Sequence, residues 1–470
     1  MPAPHPHRWA ALAAILTAEV MDLLDATVVG VAAPSIRADL GGDSSLLQWV
    51  AAGYTLAFAV GLVTGGRLGD LYGRRRMFLV GLVGFVVFSA LCGLAWSPEV
   101  LVGARVLQGL FGAVLIPQAF GIIRTMFPPQ EMGAALGAFG PTIGLAAVGG
   151  PVLAGALIAW DPGGVGWRSV FMINLPVGLL CLALALRTLP ESRAADAPRP
   201  DPVGMVLVSL GLVLLVFPLV EGRELGWPAW TVASVVASGP VLAGFAVHQV
   251  RRRRAGRSPL VEPALFASRA YSAGLLVCLV FFGAMTSLVF ALGVHLQLAL
   301  GFTPLQAGLA QVPWALGTAV GAVVSGALLA RVGRPVLQGG AVLMAAGVSV
   351  LLVTYLATAG VVSGWQLLPG LLVSGAGMGL LLPQLFDIVL AGIDTDMVGS
   401  GSGVLNAVQQ LGSTAGVAVL GSVFFARLEA GDALGAMTTV LTVVGVLVLA
   451  VAALAALLPR RARDPEPVAA

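Results

Sequence analysis

Thr17–Pro34 reads TAEVMDLLDATVVGVAAP, and the reading of this stretch decides the fold. It lies in an apolar run from about residue 9 to about residue 33, long enough to cross a bilayer as a helix, which takes roughly 20 residues. The run nevertheless carries Glu19, Asp22 and Asp25. Each carboxylate costs about 2.5–3.5 kcal/mol at the centre of a membrane helix, so a helix that served only as an anchor would not hold three. At about 100° per residue, steps of three keep them within about 120° of one another, on one face and open to one aqueous cavity. Carboxylates that close in a low dielectric resist ionising together, which suits them to take up and release a proton. The plainer alternative is that one or more pairs with Arg105 or caps a kink.

Composition supports a membrane setting. The 470 residues are 58% hydrophobic and 10% charged, a balance that excludes a soluble domain of this size. A net charge of +3 is too small to point to nucleic acid. Every basic residue is Arg and none is Lys, which with abundant Ala, Gly and Val suggests a GC-rich bacterial genome. Cys92, Cys181 and Cys278 fall in separate apolar stretches and read as small core residues, with no disulfide framework or metal site. The segment MPAPHPHRW is followed by no small-residue cleavage site, so an uncleaved first span is expected, with His5 and His7 as tail residues.

Outward from the first stretch, apolar runs divide the chain into about fourteen spans. The first six are about 9–33, 45–66, 77–96, 99–126, 134–158 and 167–188. Two follow at about 203–220 and 229–249, and six more at about 271–299, 305–330, 336–357, 366–392, 399–425 and 437–458. Alternate loops and both ends carry Arg8; Arg67, Arg74, Arg75 and Arg76; Arg124; Arg187, Arg193 and Arg199; Arg251–Arg254 with Arg257 and Arg269; Arg331 and Arg334; and Arg460, Arg461 and Arg463. The other side holds only Arg37, Arg168, Arg223 and Arg427, so both termini are expected in the cytoplasm of a multi-pass inner-membrane protein.

The chain also repeats itself. Leu115–Ile122 (LIPQAFGI) recurs as Leu381–Ile388 (LLPQLFDI), and Gly66–Arg74 (GRLGDLYGR) recurs weakly as Gly326–Arg334 (GALLARVGR), at offsets of 266 and 260 residues. Two six-helix halves with a two-helix insertion between them would produce such offsets, an architecture of secondary transporters with a midplane site. Ser192–Pro202 and Arg251–Pro263 read as linkers, which divides the chain into residues 1–190, an inserted pair within 191–265, and residues 266–470.

The motifs then become specific. Gly66–Arg76 (GRLGDLYGRRR) resembles the cytoplasmic loop signature of the major facilitator superfamily. Its Gly66 and Gly73 allow a tight turn, and Asp70 with Arg74 and Arg75 forms a conformational latch on that resemblance; a pure topology signal is the alternative. Ala330 stands where the second half would need the acid, so that copy is expected to be degenerate. Leu101–Ala113 (LVGARVLQGLFGA) resembles the fourth-span signature of the proton antiporters. Arg105 cannot deprotonate and needs a partner, for which the first-span acids are the candidates; snorkelling to an interface is the alternative. Gly144–Gly155 (GLAAVGGPVLAG) resembles the fifth-span antiporter signature, with Gly149, Gly150, Pro151 and Gly155 kinking the helix and admitting a close neighbour; Ala154 departs from the usual Gly.

Leu24–Ile36 (LDATVVGVAAPSI) is similar to the first-span signature of the fourteen-span drug:proton antiporter branch, with Gly30 in place of Asn and Ala33 in place of Leu. The resemblance makes Asp25 the family acid; Asp22 and Glu19 are added from chemistry alone. Tyr54, Gln108, Gln118, Asn174, His295, Gln297, Gln384, Asp387, Asn406, Gln409 and Gln410 are polar groups in apolar runs and candidates for a substrate cavity. An interhelical hydrogen bond is the plainer role for each amide, and a satisfied interfacial position for His295.

The expected protein is an all-α polytopic membrane transporter of the major facilitator fold, built from two six-helix bundles plus two inserted helices, and not an enzyme. It is expected to export amphipathic drugs or antibiotics by proton-coupled antiport, using Asp25, Asp22, Glu19 and Arg105. No GxxxxGK[ST] loop is present for an ATP-driven pump, and no cofactor is expected beyond a proton gradient. The expected partners are a small amphipathic substrate, protons and the lipid bilayer, with the chain a monomer. A dedicated exporter of one endogenous metabolite and a non-transporting membrane sensor or scaffold are the rival readings.

Overall fold

The computed structural model of the protein describes residues 6–459 apart from 129–130, 132–134, 136–138, 193–200, 223–224, 330–332, 392 and 394–397. Ala330 and Arg193, Arg199, Arg223, Arg331, Arg460, Arg461 and Arg463, used above in reading the latch and the topology, lie outside the described residues.

The first half holds α1 (Arg8–Leu40), α2 (Ser44–Tyr72), α3 (Arg74–Gly93), α4 (Pro98–Leu115), α5 (Gln118–Met126), α6 (Phe139–Trp160), α7 (Ser169–Met172) and α8 (Asn174–Thr188). The inserted pair is α9 (Pro202–Glu221) and α10 (Ala229–Arg254). The second half holds α11 (Arg269–Leu298), α12 (Pro304–Ala310), α13 (Val312–Leu329), α14 (Arg334–Ala357), α15 (Gly364–Ala391), α16 (Val398–Glu429) and α17 (Ala433–Leu454). Among the described residues there is no strand. In a bilayer only internal backbone hydrogen bonding is tolerable, and helices supply it.

Twelve helical segments among the described residues are long and apolar enough to cross a membrane, from Ser45–Leu62 to Ala433–Leu457. The expected count of about fourteen adds α1 and α6. Neither is among the twelve, since α1 carries three acids in its apolar stretch and α6 registers only over Gly149–Trp160. Their 33 and 22 residues give lengths of about 50 Å and about 33 Å at 1.5 Å per residue.

Proline decides where the helices depart from the sequence reading. The fourth span, expected unbroken over about 99–126, divides at Ile116–Pro117 into α4 and α5, because Pro117 supplies no N–H to the helix ladder. The span near 305–330 divides at Gln311, two residues before Pro313, and the span near 167–188 divides at Ile173, just before the α8 segment that contains Pro176. Side-chain caps set several starts: Asp43 accepts from Ser45 N at 3.0 Å and Leu46 N at 3.3 Å, and Thr303 with Gln306 closes a capping box on α12.

The packing repeats along with the sequence. In the first half α1 packs on α6 and α8, α2 on α4, and α3 on α4 and α8. In the second half α11 packs on α16 and α17, α13 on α15, and α14 on α15 and α17, the same order of partners. Small residues make these approaches possible without a hydrophobic drive between helices. A Cβ on Gly65 would lie 2.0 Å from the Ala113 carbonyl oxygen, and one on Gly375 would lie 1.9 Å from that of Trp314. Between the halves, α2 meets α16, α6 meets α12, and α1 meets α11. Helix α9 lies in the groove that α2 and α16 share, where Leu212, Val216 and Val220 pack with Ala52, Leu56 and Ala418. α10 is mostly exposed, as suits a lipid-facing helix.

Candidate functional site

Asp25 lies two-thirds of the way along the apolar run of α1 and is 1% exposed. Its Oδ2 is ion-paired with Nη1 of Arg105, which is 0% exposed and reaches across from α4. Its Oδ1 accepts from Gln108 Nε2 at 2.9 Å and from Asn174 Nδ2 at 2.9 Å. Arg105 also donates from Nη1 to Gln108 Oε1 at 2.9 Å and from Nε to the Val50 carbonyl at 3.0 Å. Asn174 donates a second bond to Ser89 Oγ at 2.8 Å, and Ser89 donates on to the Phe171 carbonyl at 2.9 Å. Three helices, α1, α4 and α8, thus meet at one carboxylate, and α2, α3 and α7 join them through Val50, Ser89 and Phe171. The Arg105 guanidinium carbon also lies over the Tyr54 ring at 4.4 Å and the Phe171 ring at 5.6 Å, which favours a cation there. Arg105 does not snorkel in this geometry: it is fully buried and pairs with Asp25 alone of the three first-span acids.

Local sequence explains the convergence. Arg105 and Gln108 are three apart on α4, so they share a face. Gly109 and Gly112 follow on the side toward α2; a Cβ on Gly109 would lie 2.4 Å from the Tyr54 carbonyl, and one on Gly112 would lie 3.1 Å from the Tyr54 hydroxyl. The glycines therefore make room for Tyr54, whose hydroxyl donates to Asp22 Oδ1. Asp22 is 7% exposed and Glu19 is 8% exposed, and Glu19 Oε1 has no hydrogen-bond partner among the described residues. Of the three acids on this face, Asp25 alone pairs with the buried guanidinium.

The other candidate residues separate by location. Gln118 is buried and clamps α5 to α2 through the Gly65 carbonyl at 2.8 Å, with a further bond to the Val114 carbonyl at 2.8 Å. Gln108 and Tyr54 belong to the ion-pair network and face no open surface. Gln297 donates to Val31 O of α1 at 3.0 Å, joining the two halves. Gln384 is buried with Nε2 unpartnered. Asp387 is exposed, and Asn406, Gln409 and Gln410 are half-buried. His295 was expected to be satisfied; instead, among the described residues, both ring nitrogens are buried without partners, edge-on to Tyr355 and Phe424 at 5.3 and 6.1 Å, and the Tyr355 hydroxyl is unpartnered as well.

Contacts between the halves gather toward the Arg-poor side. Besides Gln297 to Val31, Thr55 and Thr414 share a hydrogen bond at 2.6 Å, and Ser422 donates to Gln48 at 3.4 Å. In α6 Gly150 faces Thr27 of α1, while a Cβ on Gly155 would lie 2.5 Å from Leu305 Cα and one on Gly308 would lie 2.3 Å from the Pro151 carbonyl. Gly149 is looser, with Leu24 at 3.8 Å. Asp387, Asn406 and Gln409 lie nearer the Arg-rich end of their helices.

At that end the loop signature is mostly helical. Gly66 and Asp70 lie within α2, and Gly73 alone makes the turn, at φ +102°. This corrects the expectation of a loop over the whole motif: leucine and tyrosine favour continuing the helix until a residue able to adopt positive φ ends it. Arg74 Nη2 pairs with Asp70 Oδ1 at 2.9 Å and Nη1 donates to the Gly121 carbonyl at 3.4 Å. Arg75 donates to the Leu186 carbonyl at 2.7 Å, and the Arg74 N–H to the Ser192 carbonyl at 2.9 Å, so the turn is tied to the end of α8. Ser89, Phe171 and the Val50 carbonyl were not foreseen. A lone Ser or Phe in an apolar run carries no signal of its own, and a carbonyl carries none at all.

The sequence matches the Major Facilitator Superfamily over residues 15–417. It is 54% identical over 428 residues to the probable actinorhodin transporter of Streptomyces coelicolor, covering 91% of this chain and 74% of that protein. It is 34% identical over 426 residues to the tetracenomycin C resistance and export protein of Streptomyces glaucescens, covering 89% of this chain and 76% of that one. Among solved structures, an auto-inhibited POT family peptide transporter superposes with a TM-score of 0.67 over 97% of this chain and 98% of its own, at 14% identity, a likeness of fold alone.

Proposed function

Because this chain belongs to the Major Facilitator Superfamily, we propose that it exports antibiotic-like amphipathic molecules in exchange for protons, across the bacterial inner membrane with both termini in the cytoplasm. The observation that carries the coupling is the burial on α1 of three carboxylates beside one guanidinium, Arg105, which Asp25 alone engages. Ionised side chains at membrane depth are costly, so a surplus of acid over base in one site favours proton occupancy. A cavity that binds either protons or substrate, but not both favourably, needs nothing more to couple the two fluxes. The fourteen-span count, with α1 and α6 as spanning helices, belongs to this proposal, as do action as a monomer and independence of any cofactor.

In the proposed cycle the closed contacts on the Arg-poor side, between Thr55 and Thr414 and between Gln297 and Val31, hold one end shut. Substrate enters from the Arg-rich side or the adjoining leaflet, past Asp387, Asn406 and Gln409. Its binding favours release of protons inward from the α1 acids. The halves then rock, the Asp70–Arg74 and Arg75 contacts rearrange, and protons from outside displace the substrate.

A second reading has its own support. Two relatives are named for one compound each, actinorhodin and tetracenomycin C, which favours a dedicated exporter over a broad one. The deciding experiment is ΔpH-driven transport into inverted vesicles. Ethidium serves as a general amphipathic probe, and secretion of a coloured metabolite by producing cells runs in parallel. Ethidium transport that an ionophore abolishes supports the broad antiporter. Secretion that depends on the protein, with no ethidium transport, supports the dedicated one. Vesicle transport or cellular secretion that persists when an ionophore collapses ΔpH overturns proton coupling.

A further inference from the structure

Granted the antiport reading, we infer that Asp25 stays ionised as the standing counter-ion of Arg105, and that Asp22 and Glu19 carry the exchangeable proton, with Tyr54 as the residue that positions Asp22. The inference turns on which hydrogen-bonding groups face each carboxyl. A carboxylate only accepts, whereas a carboxylic acid must also find an acceptor for its own proton.

Every group bonded to Asp25 is an obligate donor. Arg105 cannot accept. Gln108 must turn its Oε1 to the Arg105 guanidinium, which leaves its Nε2 for Asp25. Ser89 spends its proton on the Phe171 carbonyl, so its oxygen accepts from Asn174 Nδ2, and that same nitrogen donates to Asp25. The orientation of both amides is thus settled by neighbours that have no choice. A proton added to Asp25 would point at donors alone, and would leave Arg105 as an uncompensated buried charge.

Asp22 and Glu19 stand in the opposite situation. Asp22 has one donor, the Tyr54 hydroxyl, and a hydroxyl can turn to accept. Its second oxygen has no donor among the described residues. Glu19 Oε1 is buried and has no partner. Among the described residues, the titratable and charged groups around this face are Asp25 on α1, Tyr54 on α2, Cys92 on α3, Arg105 on α4 and Cys181 on α8. The sole cation of that set, Arg105, is already matched by Asp25. Along α1, which starts at Arg8 on the Arg-rich side, the order is Glu19, Asp22, Asp25, each about 4.5 Å further in at 1.5 Å per residue. Glu19 therefore lies between Asp22 and the side to which the proton is released. Tyr54 touches both parts: its hydroxyl holds Asp22 and its ring lies against Arg105, so the proton on Asp22 is felt at the ion pair.

The test is infrared difference spectroscopy on the purified full-length protein in lipid, between about pH 5 and about pH 9, reading the carbonyl stretch of protonated carboxyl groups. The band is expected to shrink in Asp22→Asn and in Glu19→Gln, to vanish in the double variant, and to persist in Asp25→Asn. Asp25→Asn removes a partner of a buried cation and can fail to fold, so Tyr54→Phe provides the second arm. It leaves the Arg105 pair intact and is expected to displace the band by removing the hydroxyl from Asp22. A band that persists in the Asp22→Asn, Glu19→Gln double variant, or that does not move in Tyr54→Phe, overturns the assignment. Ethidium transport read on the same protein separates this inference from the one it rests on. A band that behaves as stated without ΔpH-driven transport refutes antiport alone, and ΔpH-driven transport with a band that disappears in Asp25→Asn refutes the assignment alone.

Discussion

Replacing Arg105 by Gln deletes the cation while keeping a polar side chain of similar reach. Asp25 would keep Gln108 and Asn174 as donors but lose its counter-charge, and the Val50 carbonyl and Gln108 Oε1 would each lose a donor. Breaking a buried ion pair from one side costs about 3–5 kcal/mol. The Val50 carbonyl keeps its place in the α2 ladder and Gln108 Oε1 keeps the Cys92 thiol at 3.7 Å, so the total stays at about 3–5 kcal/mol. Asp25→Asn strands the guanidinium instead and turns an amide toward donors, at about 3–5 kcal/mol. The double variant removes both charges together, so it is expected to cost about 2–4 kcal/mol less than the sum of the singles. Reversible unfolding of the purified protein in mixed micelles, titrated at neutral pH, measures all three. Additive costs, with a coupling below about 0.5 kcal/mol, would refute the claim that this pair organises α1 against α4.

The remaining expectations concern sites away from the ion pair. Tyr355→Phe removes a buried hydroxyl that has no partner, and is expected to be neutral or to stabilise by up to about 1 kcal/mol in the same unfolding assay; a clear loss would reveal a partner for Tyr355. Gly65→Ala places a Cβ 2.0 Å from the Ala113 carbonyl and is expected to cost about 1–3 kcal/mol by forcing α2 from α4. Gly30→Ala meets nothing within 4 Å in the helix interior and should stabilise by about 0.5–1 kcal/mol, so equal effects at the two glycines would contradict the packing described. At the end of α1, beyond the apolar run, the Arg168 guanidinium and then the Trp167 indole hold the Asp39 carboxyl below its ordinary range. Stability from this contact is fully present above the unfolded value of about 3.9 and is lost as pH falls through the lower folded value. The carboxylate is 48% exposed, so solvent screening limits the effect to less than about 1 kcal/mol, and Arg168→Gln should flatten the melting temperature between about pH 5 and about pH 3.

What the amino-acid sequence determined by itself was what depends on one segment at a time. Apolar length, the Arg bias of alternate loops and the unfavourable placement of Glu19, Asp22 and Asp25 are local transfer free energies, summed along the sequence, and they determine an all-helical membrane fold and a polar centre in α1. The internal repeat was legible for the same reason, and the order of helix partners follows it. Helix breaks at Pro117, Gln311 and Ile173 were missed because apolar content continues through them while the backbone hydrogen bonding does not. The tertiary structure alone decided who meets whom. That Asn174 and Ser89 converge on Asp25 with Gln108, that Tyr54 serves Asp22, and that Glu19 is left without a partner depend on how each helix is rotated and shifted against its neighbours. A rotation of one residue turns a side chain by about 100°, enough to move it from the shared centre to the lipid, and no local free energy records that angle.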